Sequence, residues 1–128
     1  MSETPQQRAE AALTAYGLTF PGTTTGPAWA FTRGLYVNGK MFAVFGDKAQ
    51  PLDALTITLK LPISAEMVAD LPFVREARGW YKQHNWVIAD FGPDDDILAE
   101  IDMLKAWLRQ SYVAIAPKKF SKQLGETS

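Results

Sequence analysis

The sequence predicts an α+β domain in which an N-terminal and a C-terminal helix pack on one face of a five-stranded antiparallel sheet. An Asn-Gly dipeptide between two apolar, aromatic-rich runs, residues 29–37 and 40–45, marks a hairpin, because both residues tolerate the positive φ of a type I′ turn. The segment LTITLKL, residues 55–61, alternates strictly between apolar and polar, as a strand with one buried face does. Near both ends, apolar residues recur at three- and four-residue steps.

The chain's 128 residues suffice for one apolar core without staples, and at 47% hydrophobic and 21% charged residues it has the composition of an ordered globular domain. The reading is a single domain over residues 1–117 and a polar tail over 118–128. Cysteine is absent, which excludes disulfides, thiol nucleophiles and cysteine-based metal sites. The N-terminal MSETPQQRAE lacks the basic start and apolar run of a secretory signal, and no apolar stretch approaches membrane length, so a cytoplasmic protein is expected. Thirteen Lys and Arg against fourteen Asp and Glu give a net charge of -1, so any anion-binding surface must be local.

Taken in order, Thr4, Pro5 and Gln7 read as a capping box with proline at the first helical position. The helix should run to Tyr16 on the stripe Ala9, Ala12, Leu13 and Tyr16, with Gly17 ending it in a left-handed conformation. LTFPGTTTGP, residues 18–27, reads as a connection, and it lacks the spacing and lysine of a phosphate loop. In the hairpin, Val37 should pair with Lys40, Leu35 with Phe42 and Arg33 with Val44, leaving Tyr36, Met41, Ala43 and Phe45 as the core side. After LTITLKL, Ser64 should cap a short helix that Pro72 stops. Residues 73–81 and 86–91 then read as strands around KQHN, a second hairpin turn. Asp94, Asp95 and Asp96 suit the N-terminus of a helix carrying Ile97, Ile101, Leu104, Leu108 and Ile115.

No catalytic signature emerges. His84 is the only histidine and no nucleophile elbow accompanies it, no spacing selects a carboxylate pair, and the aspartates lack the calcium-loop pattern. The expectation is no enzyme activity, no cofactor and no metal. Trp80 and Trp86, flanking the expected turn, read as core anchors or cross-strand partners. Arg33, Lys40, Lys60, Arg78 and Lys82 fall on expected strands or turns, and with Tyr81 and Trp86 they form the candidate nucleic-acid-binding set: cations for phosphates, rings for apolar contact.

Read in order, FPGTT at residues 20–24, VNGKMFAVF at 37–45, LTITLKL, the 79–86 segment and LRQSYVAIAPK near the end resemble the MmcQ/YjbR family. The resemblance covers nearly the whole domain. It implies a CyaY-like fold with projecting hairpins in a double-wing arrangement, and a DNA-binding role proposed for the family from its shape. It supplies no catalytic residues. Family members usually carry a basic residue, often histidine, just before the tryptophan matching Trp86; Asn85 stands there in this chain, so no role passes to His84. The functional expectation is a monomeric module that contacts DNA phosphates, with protein binding by the sheet face as the alternative and no membrane partner.

Overall fold

The computed structural model describes residues 4–28, 32–46, 54–77 and 79–125. Six strands, β1 (Thr23–Pro27), β2 (Arg33–Val37), β3 (Lys40–Phe45), β4 (Leu55–Lys60), β5 (Val74–Glu76) and β6 (Trp86–Phe91), form one antiparallel sheet in the order β1-β2-β3-β4-β6-β5. Helices α1 (Pro5–Leu18) and α4 (Ile101–Ile115) cover one face. Two short helices, α2 (Ala65–Val68) and α3 (Trp80–Gln83), and a C-terminal helix, α5 (Lys118–Gly125), complete the chain. The α+β class and the placement of both long helices follow the expectation.

The expected capping box starts α1: the Thr4 hydroxyl accepts from Gln7 N–H at 3.1 Å, and the Gln7 side chain accepts from Thr4 N–H at 2.9 Å. The helix does not stop at Gly17. It continues to Leu18, and Gly17 serves close approach instead, because a Cβ there would lie 2.7 Å from Leu35 Cδ1. The sixth strand is β1, inside the stretch read as a connection. Its Pro27 is tolerated because β1 lies at the sheet edge, where a missing N–H costs no ladder bond.

The Asn38-Gly39 turn has φ of 53° and 76°, and Val37 pairs with Lys40 as expected. Beyond that the register departs. Tyr36 pairs with Met41 but Leu35 pairs with Ala43 and Arg33 with Phe45, so Phe42 is the extra residue of a bulge. The bulge brings Phe42 and Ala43 both into the core, where Phe42 meets Phe20 and Tyr112 at ring distances of 6.4 and 5.4 Å. Leu35 and Val37 therefore face the helices, while Tyr36 and Met41, expected in the core, do not. The Tyr36 ring instead covers Gly34, and its hydroxyl donates to Pro27 O at 2.7 Å, shielding backbone that has no side chain of its own.

Strand β4 behaves as its alternation requires, with Leu55, Ile57, Leu59 and Leu61 buried against Leu13, Leu104, Leu108 and Tyr112 in one core. The second hairpin does not form as expected. Strand β5 ends at Glu76, and the residues read as its continuation wind into α3, because Gly79 (φ 58°) and Asn85 (φ 65°) turn the backbone at either end. The N–H of Gln83 donates to Gly79 O at 3.2 Å. The part of the expected tail over Lys118–Gly125 is helical, and Phe120 packs against the core and over Gly22.

Candidate nucleic-acid interface

The antiparallel register sorts the predicted cations by end of sheet. Val37 and Lys40 flank the Asn38-Gly39 turn, and Lys60 pairs with Trp86 at the same end of the neighbouring strands. Lys82, in α3, leads into Trp86 through the turn at His84 and Asn85. Helix α4 also finishes there, since Tyr112 donates to Pro21 O at 2.6 Å, just before β1 starts opposite Val37. Lys118, Lys119 and Lys122 of α5 follow, all exposed, and Phe120 seats the helix against Gly22.

The opposite end is acidic. Asp94, Asp95 and Asp96 lie in the turn after Phe91, with Glu100 and Asp102 at the start of α4. Asp96 does cap, its carboxylate accepting from Ala99 N–H at 3.3 Å, although what it caps is a 3₁₀ turn over Ile97–Glu100 leading into α4. Two arginines are held by carboxylates: Arg33, at this end, donates through Nε to Glu10 at 2.8 Å, and Arg75, opposite Ile88 in mid-strand, donates through Nε to Asp90 at 2.5 Å. The Asp90 carboxyl sits below the ordinary carboxylate range. Burial opposes its ionisation most strongly, but hydrogen bonds from Arg75 and Thr56 and the arginine's charge outweigh it.

Of the seven candidate residues, the structure thus brings Lys40, Lys60, Lys82 and Trp86 to one end and places Arg33 at the other. Trp86 is only 6% exposed, so it is a wall rather than a platform. Arg78 and the side chain of Tyr81 lie outside the described residues. The α5 lysines were missed because a short polar C-terminal segment carries little periodic apolar signal beyond Phe120 and Leu124.

Beside Trp86 opens a cleft of about 500 Å³. Ala65, Glu66 and Ala69, on and just after α2, form one wall, Val74, Trp86 and Val87 the other, and Lys82 and Asn85 lie at its α3 side. Helix α2 has only four residues, too few to persist alone, and its expected Ser64 cap makes no side-chain cap bond. Gln110 of α4 holds it instead. Its side-chain oxygen accepts from the N–H groups of Ile63 (3.0 Å) and Ser64 (3.2 Å), and its amide donates to the Ser64 hydroxyl at 2.9 Å. Nothing in the sequence spacing pairs Gln110 with residues so far upstream.

The sole histidine, His84, is exposed in the turn after α3. Among the described residues, no group of three or more His, Cys, Asp or Glu is arranged to hold a metal ion, and no helix is long and apolar enough to cross a membrane.

The YjbR family model matches residues 18–114, which spans β1 through nearly all of α4. The crystal structure of Deinococcus radiodurans protein DR2400, described as containing the family-model domain DUF419, superposes with a TM-score of 0.67 at 23% identity, covering 97% of this chain and 92% of that one. That likeness shows the fold. No curated protein matches the chain.

Proposed function

The chain belongs to the YjbR family, and we propose that it is a non-catalytic nucleic-acid-binding module that holds phosphates on the lysine-bearing end of its sheet. The observation that carries this reading is the segregation of charge hidden by a net charge of -1. Lys40, Lys60 and Lys82 share an end with the lysines of α5, where they outnumber Glu66 and Glu76, while the aspartates after β6 and the Arg33–Glu10 pair share the other. Strand β4 has six residues, so the ends stand about 20 Å apart. That is more than twice the Debye length of about 8 Å at physiological salt. A phosphate at the lysine end is therefore screened from the acidic end, and the local charge governs its binding.

Titration with mixed-sequence duplex and single-stranded DNA across a range of salt tests the reading. Three to five lysine-phosphate contacts should give a log K against log salt slope of roughly -3 to -4 on duplex, from counterion release. Absence of binding at about 50 mM salt and high micromolar protein, where non-specific DNA binders associate, would defeat it. The rival reading, a protein partner on the open face of the sheet, would then be favoured by a co-purifying protein that survives nuclease treatment.

A further inference from the structure

We propose that the exposed face of α2, with the strip of α4 beside it, docks a basic amphipathic helix of a partner protein. This does not depend on the nucleic-acid reading above. Backbone bonds from Ala65 N–H to Leu61 O and from Val68 N–H to Ser64 O, both 3.0 Å, carry helical spacing across residues 61–68. Ile63 and Met67, four residues apart, therefore stand on one side of this turn. At 79% each they are the most exposed large hydrophobic side chains among the described residues. Gln110 ties the turn to α4 through the N–H groups of Ile63 and Ser64, and Ala106 and Ala114, one turn to either side of Gln110, are exposed as well. Val113, 46% exposed, borders that strip. Two long apolar side chains beside a strip of small ones form a surface on which another helix can lie closely, its apolar residues at three- and four-residue steps meeting Ile63 and Met67.

The charge around this pair is acidic, and that selects the occupant. Glu66 and Asp70 follow Ile63 and Met67 by three residues each, both are exposed, and among the described residues no hydrogen bond or ion pair engages either carboxylate. Asp70 also follows the C-cap Ala69, at the helix end where a carboxylate works against the helix. The cations of the neighbourhood are turned elsewhere. Lys60 alternates with the buried Leu59 and so leaves from the sheet face opposite the helices, while Lys82 lies across the cleft with a partner of its own. On α4, Lys105 lies over the Tyr16 ring at 5.6 Å, on the α1 side, and Arg109 is already engaged. The two carboxylates thus complement lysines or arginines flanking the apolar anchors of an incoming helix. A nucleic-acid strand would be repelled here, and a second copy presenting the same face would set these carboxylates against their own kind.

The test titrates the full chain into a labelled peptide of about 14 residues, leucines and lysines at helical spacing, and follows fluorescence anisotropy. A scrambled peptide of the same composition and one with glutamate in place of lysine serve as comparisons. The lysine helix should bind at least about tenfold tighter than either. I63S/M67S and E66Q/D70N should each weaken its binding by about tenfold, and E66Q/D70N should also flatten the salt dependence. Unchanged urea midpoints would establish that both variants fold; where one does not, M67S and D70N singly take its place, each expected to weaken binding about threefold. Asp94→Asn, at the acidic end of the sheet, should bind as wild type does. Equal binding of the scrambled peptide, binding that survives both double variants, or a loss as large in Asp94→Asn overturns the proposal. Self-association in sedimentation that I63S/M67S abolishes also overturns it, by making the occupant a second copy of this chain.

Discussion

The hydroxyl of Ser111 on α4 donates to the carbonyl oxygen of Phe42 at 2.5 Å. The Ser111 hydroxyl oxygen in turn accepts from the N–H of Lys60 at 2.9 Å. The bulge at Phe42 interrupts the β3 to β4 ladder, whose last described pair is Ala43 with Leu59, and the serine bridges the gap from the helix above. Ser111 is fully buried. Ser111→Ala should strand one acceptor and one donor without water, costing about 2 kcal/mol. Urea unfolding checks this; a loss below about 0.5 kcal/mol would mean that the gap closes by itself.

This contact shows what the sequence could and could not disclose. Elements whose evidence is local were legible: the Thr4 and Gln7 box, the Asn38-Gly39 turn, and the alternation that buries Ile57 and Leu59. The bulge was not, because VNGKMFAVF is apolar enough to be packed in either register. The choice between them rests on Ser111 and on the Phe20, Phe42 and Tyr112 rings, contributed from distant parts of the chain. Strand β1 was hidden for a related reason, since the turn signals Pro21-Gly22 and Gly26-Pro27 bracket its three threonines and the strand is recruited by pairing with β2. For the candidate site, residue type was informative and placement was not. The convergence of Lys40, Lys60 and Lys82 with the α5 lysines depends on how separate strands and helices are brought together, which no local pattern encodes.

Tyr112 is fully buried, and its hydroxyl donates to Pro21 O at 2.6 Å. Tyr112→Phe should cost about 1 kcal/mol, as it removes a hydrogen bond while keeping the ring. Burial raises the phenol's pKa above its ordinary value of 10.0. The raised value means that the folded state favours the neutral form. Its contribution is complete below about pH 10 and is lost as pH rises through the folded value. The alkaline fall in stability should therefore be shallower in Tyr112→Phe, as measured by urea midpoints from pH 8 to 11.

Asp90 reports on the acid limb. Its carboxyl accepts from Thr56 Oγ1 at 2.6 Å and from Arg75, and its pKa lies below 3.8. A depressed value contributes stability above the ordinary carboxylate range that is lost as pH falls through the folded pKa. Because the pair is partly open to solvent, with 49% and 41% of the two side chains exposed, the contribution should be small, about 0.5 kcal/mol. Asp90→Asn should flatten the midpoint against pH curve between about pH 5 and 3. An unchanged curve would assign the acid sensitivity to other carboxylates.

Gln110 is the only described side chain found bonding the N–H groups of Ile63 and Ser64. Gln110→Ala should release the start of α2, so amide exchange at residues 63–68 should accelerate at least about tenfold while β4 and β6 keep their protection. A uniform acceleration through the sheet would show instead that Gln110 supports the whole core.

The last prediction separates the map read from the structure from the one read from the sequence. Both make Lys82 a phosphate contact, but they disagree about Arg33. In the structure its guanidinium donates through Nε and Nη2 to the two carboxylate oxygens of Glu10, a bidentate pair at the end of the sheet away from the lysines. A phosphate approaching Arg33 would have to compete with a carboxylate already in place, and would face Asp94 to Asp96 at the same end. Arg33→Gln should therefore leave the salt slope of DNA binding unchanged and cost at most about 1 kcal/mol of stability, as an exposed ion pair does. Lys82→Gln, at an exposed residue beside the cleft, should reduce the slope by about one and likewise cost at most about 1 kcal/mol of stability. Equal slope changes for the two variants would place the interface along the length of the sheet rather than at its lysine end.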